Sequence, residues 1–247
     1  MASPLGEFYD NVYSKLCGRH PHLRPWHFQW LALKYVYRDL RRVLPKLTGR
    51  VLDVGCGGKP YEDWLPKATH HIGIDVVAGP KIDIVIAPQQ SWPLRTAAFD
   101  VVLCSQVLEH VADLPLVLDE IYRVLKPGGE LVITMPFAFN EHGSPEDYRR
   151  LSVHGIRALL AERYHIVEIS PEGAIGSTVA ALCLNWIEMN MNQFKATRWV
   201  KALALPLWII FCSIVNGVGA LFDSLDHTQA FYGNFLVVAR KLCESRW

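Results

Sequence analysis

The chain has 247 residues, 51% of them hydrophobic, which suits one α/β domain with an insertion better than two full domains. Lys and Arg number 25 against 24 Asp and Glu, a formal net charge of +1, and the basic residues are spread along the chain. A nucleic-acid substrate would normally require a basic face or stripe, so this composition argues against one.

The opening stretch MASPLGEFYDNVY carries acidic residues and no apolar core, so it does not read as a secretory signal. The six cysteines form no C-x-x-C pair, which reads as reduced, mostly buried thiols and places the expected catalytic domain in the cytoplasm. Residues 26–47 space their apolar side chains helically, with Lys34, Arg38, Arg41 and Arg42 on other faces. Such a helix either packs on the domain edge or rests its basic face on an anionic membrane surface.

Strands and helices then alternate. Residues 50–54, 71–76, 82–87, 100–105 and 130–136 read as five apolar strands, 165–170 as a sixth and 235–240 as the last. Helices are expected at 114–125, stopped by Lys126-Pro127-Gly128-Gly129, and at 156–162. Apolar strands separated by helices imply a seven-stranded, mostly parallel sheet of Rossmann-like kind, covered on both faces.

An unusual segment precedes the last strand. Ala202–Phe222 contains no charged residue and no histidine, and is long enough to span a bilayer. If the last strand rejoins the sheet, the chain must return to the compartment it left, which excludes a single crossing. A buried helical subdomain, a hairpin or a helix in the membrane interface remain, and an apolar insertion can equally serve as a homodimer interface. The expected organisation is an N-terminal helical segment (1–48), a core (49–172), an apolar helical insertion (173–230) and the final strand (231–247).

The chemistry starts at Val51-Leu52-Asp53-Val54-Gly55-Cys56-Gly57-Gly58, an apolar strand running into a turn whose glycines let backbone approach a ligand. Asp75, at the end of the second strand, can accept both hydroxyls of a ribose. A dinucleotide fingerprint needs a third small residue where this chain has Pro60, which argues against a nicotinamide-dependent oxidoreductase.

Asp53-Val54-Gly55-Cys56-Gly57 resembles the first motif of class I S-adenosylmethionine-dependent methyltransferases. Ser91–Leu94 with Ala98–Val102, Ser105–Val111 and Arg123–Gly129 resemble further segments of that family in order and spacing, covering residues 49 to 137. The resemblance implies a methyltransferase with S-adenosylmethionine as cofactor, held by Asp53, Gly55, Cys56, Gly57, Asp75, Val76 and Ser105. Many relatives carry an acid at the adenine after the third strand; here Pro88-Gln89 stands there, leaving Gln89 or backbone groups for that contact. A non-catalytic S-adenosylmethionine-binding or assembly module is the alternative reading.

Glu109, His110 and His142 are the candidate catalytic bases. Gln106-x-x-Glu109-His110 is similar to a Glu-x-x-Glu-His pattern of ubiquinone-pathway O-methyltransferases that can hold a divalent cation. Gln106 replaces the first acid, so no metal is expected. His142 opens a string, through Pro145, Asp147 and Tyr148 to Arg150, that resembles methyltransferases of bacterial glycan and lipid pathways. Tyr148 and Arg149 are candidate acceptor contacts, unless Asp147 merely caps the next helix and Arg149 pairs with it. A small, lipophilic or lipid-linked acceptor, with peripheral membrane contact, completes the expectation.

Overall fold

The computed structural model describes residues 4–193 and 195–243. By internal contacts the chain divides into two units, one holding the described residues up to 37, 138–140 and 173–233, the other the remainder.

The second unit contains the sheet. Its strands are β3 (Gly49–Val54), β4 (Ala68–Asp75), β5 (Ile84–Val85), β6 (Phe99–Ser105), β7 (Leu125–Pro136), β8 (Tyr164–Glu172) and β9 (Asn234–Lys241). They are ordered β5-β4-β3-β6-β7-β9-β8. Only β9 runs antiparallel to its neighbours β7 and β8. The expected mostly parallel, seven-stranded Rossmann-like fold is therefore what the chain adopts. Val51, Leu52, Val101–Cys104, Leu131–Ile133 and Phe235–Val237 are essentially inaccessible, as expected for strands covered on both faces.

The elements depart from the sequence expectations in three places. The third strand shrinks from six residues to Ile84–Val85, because it is an edge strand and the Asp83 side chain turns to accept from Gly73 N and Lys59 Nζ. Helix α3 (Leu114–Val124) passes directly into β7 at Leu125, so Lys126–Gly129 belongs to the strand rather than to a loop. Lys241 Nζ takes the terminal carbonyls of Tyr122 and Leu125, at 2.6 and 2.8 Å, which closes the helix without a separate turn. Helix α4 covers Val153–Leu160 and is capped by the Ser152 hydroxyl, so Asp147 is not its cap.

Helix α2 (Trp30–Val43) buries Leu31, Val36, Leu40 and Val43 along one side. Its basic residues are engaged by protein: Arg41 lies 4.7 Å over the Trp64 ring, and Arg42 donates to Glu168 at 2.9 Å. These contacts favour the packed reading of this helix over a free basic face.

The first unit carries α1 (Pro4–Cys17), a small hairpin of β1 (Gly18–Arg19) and β2 (His22–Leu23), and the insertion. The insertion folds as α5 (Ile175–Gln193), α6 (Lys195–Leu203) and α7 (Leu205–Leu225). Tyr13, Cys17 and Leu205 form its small core, with Trp26, Phe28 and Trp208 against it. Asn216 on α7 donates to the Pro25 and His27 carbonyls, and Asp223 accepts from Tyr35 Oη at 2.7 Å and Ser177 N at 2.8 Å. The rest of α7 is unlike a core helix. Its mean hydropathy reaches 2.0 over an 18-residue window that is 22% buried. Leu207, Ile210, Ile214, Leu221 and Leu225 each stand more than half exposed.

Candidate active site

The loop after β3 is shaped by two glycines. Gly55 has φ +63°, and a Cβ there would come within 2.5 Å of Val107. Gly57, at φ +48°, has nothing within 4 Å of a built Cβ, so the backbone is bare on the side where a ligand would approach. Gly73 on β4 leaves room beneath the loop, since a Cβ would lie 2.4 Å from Cys56 Sγ.

Asp75 sits at the carboxyl end of β4. Its Oδ2 accepts from Gly57 N at 2.9 Å and its Oδ1 from Val77 N at 3.2 Å, which orients the carboxylate beside the loop. Asp53 lies below, buried, with Oδ2 3.0 Å from His71 Nε2. Burial raises the Asp53 carboxyl above its usual range while His71 pulls it back. His71 is a site residue that sequence reasoning missed; no motif marks it, since only the pairing of β3 with β4 brings it to Asp53. Ser105, ending β6, shares its hydroxyl with Thr134 Oγ1 at 2.7 Å. Gln89 has φ +59° and is exposed, and Val76 is exposed beyond Asp75.

The two outer motifs have a structural role. Trp92 N donates to Glu120 at 2.6 Å, and Arg123 donates to Leu94 O at 2.7 Å and to Glu120 at 2.7 Å. This network ties the segment before β6 to the end of α3.

The second cluster lies after β6 and β7, whose carboxyl ends point to the ligand side of an open α/β sheet. Glu109 is fully buried, and neither carboxyl oxygen has a hydrogen-bond partner among the described residues. Burial pushes its carboxyl up to about 7, with His110 and Arg150 pulling the other way. Glu109 Oε1 is 3.8 Å from His110 Nε2 and also 3.8 Å from His142 Nε2. The two imidazoles meet edge to face at 4.7 Å. Gly143 (φ +68°) permits this approach: a Cβ there would sit 3.0 Å from His110 Cε1.

The string after His142 braces the cluster. Asp147 accepts from His142 N at 2.9 Å and from Arg150 at 2.7 Å, and these partners hold its carboxyl well below the usual range. The partner of Asp147 is thus Arg150 rather than Arg149. Arg149 donates to the carbonyls of Leu108, Val111 and Ala112, holding the turn that carries Glu109 and His110. Those bonds occupy the guanidinium expected to meet the acceptor. Tyr148 is half exposed, and its backbone N donates to Glu109 O at 2.8 Å. The structure therefore brings Glu109, His110 and His142 together, while Arg149 supports them from behind.

Comparison with known proteins identifies the family and the fold. A family model described as a methyltransferase domain matches residues 29–173. Ubiquinone biosynthesis O-methyltransferase of Rattus norvegicus is 33% identical over 103 residues, 34% of this chain and 30% of that protein. The enzyme of the same name from Xylella fastidiosa (strain M23) is 33% identical over 131 residues, 47% of this chain and 52% of that protein. The matches thus span about a third to a half of these curated relatives. Among solved structures, a putative methyltransferase from Bacillus halodurans superposes with a TM-score of 0.52 at 15% identity, covering 83% of this chain and 98% of that one. The [4+2]-cyclase SpnF gives 0.54 at 21% identity over 83% of this chain and 79% of its own. A cyclase on the same fold shows that the fold by itself does not fix the reaction. With the family model covering more than half of its residues, the chain belongs to the methyltransferase-domain family and has a Rossmann-like fold.

Proposed function

We propose that this enzyme methylates an oxygen of a small lipophilic or lipid-linked acceptor, activated at the cluster of Glu109, His110 and His142. The observation that carries this reading is the buried, unpartnered Glu109 carboxylate set between two imidazoles. Asp75 and the glycine loop hold the cofactor, with Asp53, Cys56, Val76, Ser105 and Gln89 around it. Methyl transfer is an in-line displacement: the acceptor oxygen bonds to the methyl carbon as the carbon–sulfur bond breaks, and the sulfonium leaves as a neutral thioether. The hydroxyl proton leaves to the Glu109–His142 pair. A base whose pKa lies near the working pH combines availability with driving force, which suits Glu109. Most of the barrier reduction belongs to alignment, since the cofactor already carries the activation.

Two observations support a lipophilic acceptor. The curated relatives named above are ubiquinone biosynthesis O-methyltransferases. Helix α7 exposes an uncharged apolar side suited to peripheral contact with the inner face of a membrane. The test uses purified protein, methyl-labelled S-adenosylmethionine and a membrane extract, separated into aqueous and organic phases. Label in the organic phase is the expected result; label confined to water-soluble product would overturn the lipophilic acceptor, and no transfer would favour a binding module. His142→Ala should lower turnover by about 10²–10⁴-fold with cofactor affinity retained; equal loss of both would make His142 structural.

A further inference from the structure

The helical insertion encloses a cavity of about 230 Å³ lined by residues of α5, α6 and α7, all of them in the first unit. An engineered apolar cavity of about 150 Å³ already takes up benzene, so this one has room for a ring or a short aliphatic chain. Ile187, Met191, Leu207 and Phe211 make its walls apolar. Leu207 and Phe211 are also solvent-exposed, which gives a ligand a way in.

Three polar side chains interrupt the apolar lining: Glu188, Lys201 and Trp208. Lys201 is buried, and its three ammonium N–H groups have three partners. It donates to Glu188 Oε1 and, at 3.1 Å, to Asn192 Oδ1, and it lies 4.4 Å from the centre of the Tyr9 ring. Glu188 is satisfied on one side only. Its Oε1 also accepts from Asn192 Nδ2 at 3.2 Å, whereas its Oε2 is buried with no hydrogen-bond partner among the described residues. Trp208 Nε1 is likewise buried and unpartnered among them. One cavity is thus lined by a residue with an unused buried acceptor and another with an unused buried donor, each unfavourable when left unmade.

We propose that this cavity binds a neutral lipophilic alcohol, with its hydrocarbon part between the apolar walls and its hydroxyl shared by Glu188 and Trp208. A hydroxyl donates and accepts at a single atom. Its O–H goes to Glu188 Oε2 while its oxygen takes the Trp208 N–H, and a few placed polar groups in an apolar pocket are what orient such a ligand. Charge narrows the class. Lys201 is already matched by Glu188, so a carboxylate or phosphate head would enter without a free cation. An ammonium head would set a second cation beside Lys201 and could not accept from Trp208. An ether accepts but does not donate, leaving Glu188 Oε2 empty. No residue of the Glu109 cluster or of the glycine loop takes part, so this site stands or falls independently of the function proposed above.

Calorimetric titration of the full chain with 1-octanol, octyl methyl ether, octanoate and octylammonium tests the site. The alcohol should bind with one-to-one stoichiometry, the ether about tenfold more weakly, and the two charged compounds without measurable heat. Ala204 lines the cavity; Ala204→Leu fills it and should abolish octanol binding. Trp208→Phe keeps an aromatic wall but removes the donor, and should weaken octanol about three- to tenfold. A cooperative thermal transition shows that each variant is folded, and Trp208→Phe carries the test should Ala204→Leu fail to fold. Absence of octanol binding, or ether or octanoate bound as tightly as octanol, would overturn the site. So would full octanol affinity in either folded variant, which would put the alcohol on the exposed side of α7 instead. Octanol binding without any methyl transfer would leave this site standing and the proposed function not; methyl transfer without octanol binding would do the reverse.

Discussion

Asp75 and Arg149 show how differently two charged residues can serve one site. The Asp75 carboxylate takes one hydrogen bond from the glycine loop and one from Val77, and both its oxygens retain acceptor capacity for ribose hydroxyls. Asp75→Ala should therefore weaken S-adenosylmethionine binding by about 10–100-fold, as loss of charge-assisted hydrogen bonds predicts. Unchanged affinity in calorimetry would remove Asp75 from the cofactor site. Arg149 spends its guanidinium on three carbonyls of the turn holding Glu109 and His110. Lysine has no fork to span them, so Arg149→Lys should cost about 2 kcal/mol, a fall of roughly 5 °C in Tm. A normal Tm with weakened acceptor binding would restore the acceptor role that the sequence suggested for Arg149.

Among the elements, the pairing of α5 with α7 depends on glycine for closeness. A Cβ at Gly176 would lie 2.0 Å from the Gly219 carbonyl oxygen and 2.8 Å from Phe222 Cβ, so the helices could not keep their separation. Gly176→Ala should destabilise by about 1–3 kcal/mol through overpacking, read as a lower Tm and faster amide exchange along α7. Gly217 has open space around a built Cβ, and Gly217→Ala should stabilise by about 0.5–1 kcal/mol through helix propensity. Similar effects from both substitutions would mean that the Gly176 contact does not set the helix spacing. The uncharged composition of Ala202–Phe222 pointed to an apolar helix before the last strand; the packing of Gly176 against Gly219 was not legible, because glycine in a sequence does not name its neighbour.

Over the whole molecule, stability is linked to a buried acid distant in sequence from the site motifs. Glu172, at the end of β8, is buried with both carboxyl oxygens unpartnered among the described residues. Burial raises its pKa well above the ordinary 4.5, with Asp39 reinforcing and Arg38 opposing the shift. The folded state thus holds this proton more tightly than the unfolded chain. That contribution is fully present below the unfolded pKa of about 4.5 and is lost as pH climbs toward and through the raised folded value. Tm should accordingly fall as pH rises above the ordinary carboxylate range, and Glu172→Gln should flatten the profile. An identical slope in the variant would show that Glu172 is not the linked group.

The sequence by itself determined the parallel sheet, the glycine loop and the acid at the end of the second strand. Each depends on local pattern: apolar runs, a turn that only glycine relaxes, and a fixed distance from strand end to strand end. The ordering of β9 between β7 and β8, the pairing of His71 with Asp53, and the meeting of His142 with Glu109 and His110 were decided by tertiary structure. The last of these altered the chemical reading most. The loop after β7 brings an imidazole through space to the carboxylate that chain order alone sets beside His110. Residue type sets which chemistry a side chain can perform, but the burial that leaves Glu109 unpartnered arises only when separate strand ends are packed side by side.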